Sequence, residues 1–156
     1  MSASADEFDY SSTTVPEDAL FVAADEPLLV FPSATAAERD LEAIDVENGE
    51  YPAAYGPRGE PYSVRAIEGQ VVIEPTGELE RPDELRVLLL RYLEQRGRDA
   101  EASASVEALV AEVWKIESEF WQEHDPFGDR FGTRIPPWGC FAFMLALGTA
   151  LYLVLR

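Results

Sequence analysis

The chain has 156 residues, with 12 Lys and Arg side chains against 30 Asp and Glu side chains and a formal net charge of −18. This charge repels nucleic-acid phosphates and anionic lipid head groups, so we expect no nucleic-acid binding. The single cysteine, Cys140, excludes an intrachain disulfide and a cysteine-based metal site. The acidity is typical of a surface that attracts a basic protein, and also of a highly soluble or halophilic surface.

The N-terminal part of the chain divides into a tail and the start of a domain. Residues 1–18 are rich in Ser, Thr, Asp and Glu and lack hydrophobic periodicity, which predicts a disordered acidic tail. A soluble domain is predicted for residues 19–125. Its first apolar runs, Leu20–Ala23 and Leu28–Phe31, are short and continuous and predict buried strands.

A helix is predicted after the second strand. Ser33 or Thr35 can cap its start, and Thr35 and Glu38 have the spacing of a capping box. The helix should end before Asn48-Gly49, a strong turn signal. Its predicted apolar side consists of Ala37, Leu41 and Ile44.

Three strands are predicted next, at Tyr51–Tyr55, Pro61–Ile67 and Val71–Ile73. Turn residues separate them at Gly56–Gly59 and at Glu68-Gly69. In the middle run the side chains alternate with the period of a half-buried strand. Three neighbouring strands with short turns predict an antiparallel meander.

Two helices are predicted to complete the domain. The first opens with Pro82, followed by acidic residues, and ends at Gly97. The second begins at Val106 and ends near His124. Their apolar faces are Leu85, Leu88, Leu89, Tyr92 and Leu93 in the first helix and Val106, Leu109, Val110, Val113, Ile116, Phe120 and Trp121 in the second. The element order predicts a small α+β domain with helices on one face of a mainly antiparallel sheet.

A C-terminal apolar run follows a juxtamembrane linker predicted for residues 126–134. The run Ile135–Leu155 has 21 residues without a charge, and as a helix it would reach roughly 31 Å, about the thickness of a bilayer's hydrocarbon core. Residues 135–156 are therefore predicted to form a transmembrane anchor; the alternative is a helix buried in a soluble core. The anchor residues are interfacial Trp138 and Tyr152 together with Phe141, Phe143, Leu147, Leu151 and Leu155.

The position of this run predicts its orientation. No earlier apolar segment is present to carry the acidic domain across a membrane. Arg130 and Arg134 precede the run, and only Arg156 follows it. This bias favours a single-pass protein of the cytoplasmic (inner) membrane with its N-terminal domain in the cytoplasm.

No motif for a known chemistry is present, and we predict a non-enzymatic protein without catalytic residues, metal, cofactor or small-molecule substrate. His124 is the only histidine, and Glu119 and Glu123 have the i, i+4 spacing of a shared metal site but lack further ligands. Asp45–Glu50 does not fit the calcium-loop pattern, because its glycine is misplaced. An enzyme with an unfamiliar carboxylate site is an alternative that ranks third, after a binding protein and a structural subunit.

The segment Leu28–Pro61, LLVFPSATAAERDLEAIDVENGEYPAAYGPRGEP, contains a strand, an Ala/Glu-rich helix and a glycine-turn hairpin. In this order of elements it resembles small bacterial immunity-type proteins, which accompany polymorphic or contact-delivered toxins. The resemblance implies a non-enzymatic role in which the acidic domain binds and neutralises a partner. It transfers no binding residues to this chain.

Two functional hypotheses follow from charge and anchor together. The first is a tail-anchored binding protein whose cytoplasmic domain captures a basic protein, with Asp45, Glu47 and Glu50 as the contact patch. The second is a structural accessory subunit of a membrane complex, recognised through its transmembrane helix. In both, residues 135–155 contact the lipid bilayer.

Overall fold

The computed structural model describes residues 14–25, 28–99, 101 and 103–124. This part is an α+β fold with a five-stranded antiparallel sheet and four helices, which confirms the predicted fold class. The predicted anchor, its linker and residues 1–13 of the predicted tail lie outside the described residues. The strands are β1 Leu20–Val22, β2 Leu29–Phe31, β3 Ala54–Tyr55, β4 Pro61–Ile67 and β5 Gln70–Pro75, and the helices are α1 Ala34–Asp40, α2 Ala43–Asn48, α3 Pro82–Gln95 and α4 Val106–His124.

The sheet order is β2-β1-β3-β4-β5, and all neighbours are antiparallel. The predicted meander is confirmed as β3-β4-β5. Its first strand is shorter than predicted, because only Ala54 and Tyr55 pair with β4. Strand β1 lies between β2 and β3. One edge of the sheet is therefore β2, which forms a hairpin with β1, and the other edge is β5, which forms a hairpin with β4.

The hairpin between β4 and β5 has a two-residue turn, as predicted. Glu68 and Gly69 both have positive φ, +52° and +77°, the combination of a type I′ turn, whose twist matches that of the flanking strands. The turn places Ile67 opposite Gln70 and sets the register of all later pairs in the hairpin.

Helices cover both faces of the sheet, so the prediction of helices on one face is wrong. Phe21, Val30 and Tyr55 pack on one face against α3 and α4. Leu20 and Val22 point to the opposite face and pack against α1 and α2. The reason is the alternation of side chains along a strand, which lets a strand without polar residues bury both of its faces.

The single helix predicted between β2 and β3 is also wrong, because the chain breaks it at Leu41. Leu41 has extended backbone angles (φ −74°, ψ 140°) and ends α1, and α2 begins two residues later. The break keeps Ala37 and Leu41 buried but changes the helical phase beyond them. Ile44, predicted on the apolar side, is 55% exposed as a result.

Ser33 is the N-cap of α1, which decides between the two predicted capping residues. Its Oγ accepts a hydrogen bond of 3.2 Å from the Ala36 N–H. The predicted capping box of Thr35 and Glu38 is not formed. Glu38 Oε1 accepts instead from the Ile73 N–H on β5, at 2.8 Å.

Helices α3 and α4 begin and end as predicted. In α3 the buried residues are Leu85, Leu89, Tyr92 and Leu93. In α4 they are Leu109, Val110, Val113, Trp114 and Ser118, of which Trp114 was absent from the predicted apolar face. The two helices pack on each other and, through these residues, on β1, β2 and β3.

Candidate functional site

The predicted contact residues lie on and just after α2. Gly49 ends this helix with φ +78°. The Glu50 N–H donates to the Asp45 carbonyl at 3.0 Å, and the Gly49 N–H donates to the Val46 carbonyl at 3.1 Å. This pair of bonds forms a Schellman turn, which folds Glu50 back beside the last turn of the helix.

Tyr51 lies close to two of the predicted contact residues, Asp45 and Glu50. Its hydroxyl donates to Asp45 Oδ2 at 3.5 Å. Burial raises the pKa of Tyr51, and the charges of Asp45, Glu50 and Asp40 raise it further. Two of the three predicted contact carboxylates, Asp45 and Glu50, therefore lie near one hydroxyl group, and Glu47 is exposed on the same short helix.

These three carboxylates have no counter-charge among the described residues, a property that they share with other acidic groups such as Glu112 and Glu119. No salt bridge joins Asp45, Glu47 or Glu50 to another residue of the described part. Around α3 and the β-hairpins, in contrast, arginines pair with acids, as Arg65 does with Glu74. We call Asp45, Glu47 and Glu50 the α2 acidic surface. Its negative potential is not neutralised by neighbours of the described part.

A groove lies beside this surface, between the α1–α2 corner and the start of β5. It encloses about 360 Å³ and is lined by Glu38, Leu41, Ala43, Gly69, Gln70 and Val71. Glu38 fixes one wall to the other through its bond to the Ile73 N–H. We call this feature the Glu38 groove; nothing in the sequence pattern predicted it.

A second cleft, of about 440 Å³, lies between the N-terminal segment, the Gly56–Gly59 turn and the first turn of α4. Arg58 is the basic residue in its lining, and it is 72% exposed and paired with Glu60 at 2.6 Å and Glu80 at 3.6 Å. Since its own neighbours already neutralise this guanidinium, the cleft presents no free positive charge for a ligand.

No protein-family model, characterised protein or solved structure matches this chain.

Glu119, Glu123 and His124, which were considered as metal ligands, do not form a metal site in the described part of the chain. Glu119, Glu123 and His124 are exposed near the end of α4. His124 Nδ1 lies 2.8 Å from the Phe120 carbonyl oxygen, and its ring stacks on that of Phe120 at 4.1 Å. Within the described ranges, no group of three or more His, Cys, Asp or Glu side chains is placed to hold a metal ion.

No helix among the described residues is both long and apolar enough to cross a bilayer. The predicted span and its seven anchor residues lie outside those ranges, so the span stays a prediction.

Two buried tyrosines donate hydrogen bonds to carboxylates of the helical layer. The Tyr55 hydroxyl bonds to Glu84 and the Tyr92 hydroxyl to Glu117. Burial and the partner carboxylate raise the pKa of Tyr55 to about 12, and the same two causes raise that of Tyr92. Both pairs hold α3 in place: one against the sheet, the other against α4.

Alkaline pH should remove the contribution of Tyr55 to stability. Its folded pKa of about 12 lies above the ordinary value of 10.0, so the contribution is complete below about pH 10 and declines as the pH rises to about 12. The measurement is urea unfolding of the wild type and Tyr55→Phe across this range. We expect the stability difference between them to shrink with rising pH, and a difference independent of pH would contradict the prediction.

Proposed function

We propose that this chain is a non-enzymatic, tail-anchored binding protein of the immunity type. Its acidic domain lies in the cytoplasm and captures a basic protein at the inner membrane. The observation that carries the proposal is the α2 acidic surface, where three carboxylates without counter-charges in the described part of the chain cluster on and just after one short helix. The uncharged run 135–155 supports the membrane part of the proposal.

The close spacing of Asp45, Glu47 and Glu50, within six consecutive residues, supports a local contact site over uniform acidity. An unpaired carboxylate on the surface gains most from a cationic partner, because no internal ion pair has to be broken first. Electrostatic attraction of this kind raises the association rate and is weakened by salt. A halophilic or solubility role, in contrast, needs no particular location of the acidic residues.

The test compares two double charge reversals that change the net charge by the same four units. Glu47→Lys with Glu50→Lys alters the α2 acidic surface, and Glu112→Lys with Glu119→Lys alters exposed positions of α4. Binding of an arginine-rich peptide to the full chain is followed by stopped-flow fluorescence at low and high salt. We expect the first pair to lower the association rate about tenfold at low salt and the control pair to lower it about twofold.

An equal loss of association rate in both variants would show attraction by net charge alone and would overturn the contact site.

Asp45 is tested separately as Asp45→Asn, because it is half-buried and bonded to Tyr51. That variant keeps the hydrogen-bond acceptor while removing the charge.

The membrane part of the proposal is tested by alkaline extraction of membranes from cells expressing the full chain or a chain ending at Arg134. We expect only the full chain to remain in the membrane fraction. Release of both proteins would contradict the anchor. Replacing residues 135–155 with an unrelated apolar span should leave binding of the arginine-rich peptide unchanged. Loss of peptide binding in that variant would favour the accessory-subunit hypothesis.

A further inference from the structure

The edge of β5 presents backbone groups to the Glu38 groove. In a two-residue hairpin the pair that flanks the turn exchanges backbone hydrogen bonds, and every second pair after it does the same. Gln70, Val72 and Glu74 therefore bond to β4. The N–H and C=O groups of Val71 and Ile73 point away from β4, and the bond from Ile73 N–H to Glu38 agrees with this direction.

The groove consequently contains acceptors that have no partner among the described residues. Glu38 uses Oε1 for the Ile73 N–H, and no hydrogen bond or salt bridge to the described part occupies its Oε2. The Val71 carbonyl points to the same open edge, and Val71 lines the groove with Glu38. A carboxylate oxygen and a backbone carbonyl at one groove are complementary to a ligand with several N–H donors and a positive charge.

The charge around the groove selects for a cation. The α1–α2 segment, residues 34–48, contains five carboxylates and one basic residue, Arg39. Glu42 is exposed between two lining residues, and Glu68 is exposed at the hairpin turn beside a third. Leu41 is buried beneath the groove and Ala43 is half-buried, so the accessible lining is mainly polar.

We propose that the Glu38 groove receives one arginine side chain of the basic partner. The guanidinium donates to Glu38 Oε2 and to the Val71 carbonyl, while the α2 acidic surface contacts other basic groups of the same protein. Arginine fits better than lysine because its planar fork of five N–H donors can serve two acceptors at once. This inference rests on the proposed function and assigns the Glu38 groove as the place where the protein contacts an arginine of its basic partner.

The probes are three pentapeptides, each blocked at both ends, with arginine, lysine or citrulline between two glycines on each side. Citrulline has the shape of arginine without its charge. Each peptide is titrated into the full chain in a non-ionic detergent, and backbone amide shifts are recorded by NMR. We expect saturable shifts at Gly69, Gln70 and Val71 with the arginine peptide, and at least about tenfold weaker binding of citrulline.

Two variants test the site itself. Glu38→Gln keeps an acceptor for the Ile73 N–H but removes the charge, and Ala43→Leu narrows the groove without changing the charge. We expect each to weaken arginine binding about tenfold. The matched control, Glu112→Gln, removes one charge from an exposed position of α4 and should change the affinity by less than about twofold.

The outcomes separate this inference from the proposed function. Shifts confined to residues 45–50 would overturn the groove and leave the α2 acidic surface as the contact site. Equal affinity for the lysine peptide would overturn the assignment to a guanidinium. Absence of saturable shifts with all three peptides would overturn the groove as an arginine site but not the proposed function. Overturning the proposed function as well would require unchanged association rates in the variant that combines Glu47→Lys with Glu50→Lys.

Discussion

Replacing Gly59 with alanine should destabilise the protein by at least about 3 kcal/mol. Gly59 has φ +91°, and a Cβ there would lie 2.6 Å from the Pro82 nitrogen and 2.7 Å from the Arg81 carbonyl carbon. These are backbone atoms and cannot rotate away. The Gly59 carbonyl also accepts from the Arg81 N–H at 2.7 Å, so the contact fixes the start of α3 against the β3–β4 turn.

The control for this prediction is Gly69→Ala. Gly69 has a similar φ of +77°, but a Cβ there would meet no atom within 4 Å. We expect a cost of about 1 kcal/mol, from the left-handed backbone alone. Urea unfolding followed by circular dichroism gives both values. Equal costs at the two positions would mean that the close approach to α3 contributes nothing.

Replacing Glu117 with alanine should cost about 3 kcal/mol, the second large effect that we expect. The Glu117 side chain is 12% exposed and accepts hydrogen bonds from three side chains. Tyr92 and Arg96 donate to Oε1, Arg96 at 3.1 Å, and the Trp121 indole donates to Oε2 at 3.1 Å. Removing the carboxylate leaves the buried Tyr92 hydroxyl without its acceptor.

A double-mutant cycle measures this cause directly. Tyr92→Phe removes the donor, so Glu117→Ala should cost less in that background than in the wild type, by about 1 kcal/mol or more. Glu112→Ala, at an exposed position of the same helix, should cost less than about 0.5 kcal/mol. Additive costs of the Tyr92 and Glu117 substitutions would contradict a role for this hydrogen bond.

The elements that the sequence predicted well depend on residues close in the chain. Helix α3 begins at Pro82 and ends before Gly97, because a helix start and a C-cap are set by local backbone preferences. The same applies to the turn at Glu68 and Gly69, whose positive φ values suit a two-residue hairpin.

The candidate site was predictable only in part. The carboxylates of the α2 acidic surface stand out as a charge run at and just after the end of the predicted helix. The approach of Asp45 and Glu50 to Tyr51 depends on the Schellman turn at Gly49. The Asn48-Gly49 pair predicts a turn at this place but not the hydrogen bonds that it forms. The Glu38 groove left no local signal, because its two walls come from residues about 30 positions apart.

The sequence by itself determined the α+β class, most element positions, the acidity and the uncharged C-terminal run, since periodicity and composition express local energies. The tertiary structure decided the break at Leu41, the covering of both sheet faces and the partners of Glu38 and Glu117. Glu38 bonds to a residue 35 positions away, and Tyr92 bonds to one 25 positions away. Such contacts form because a buried polar group needs a partner, and only the packed chain determines which group is in reach.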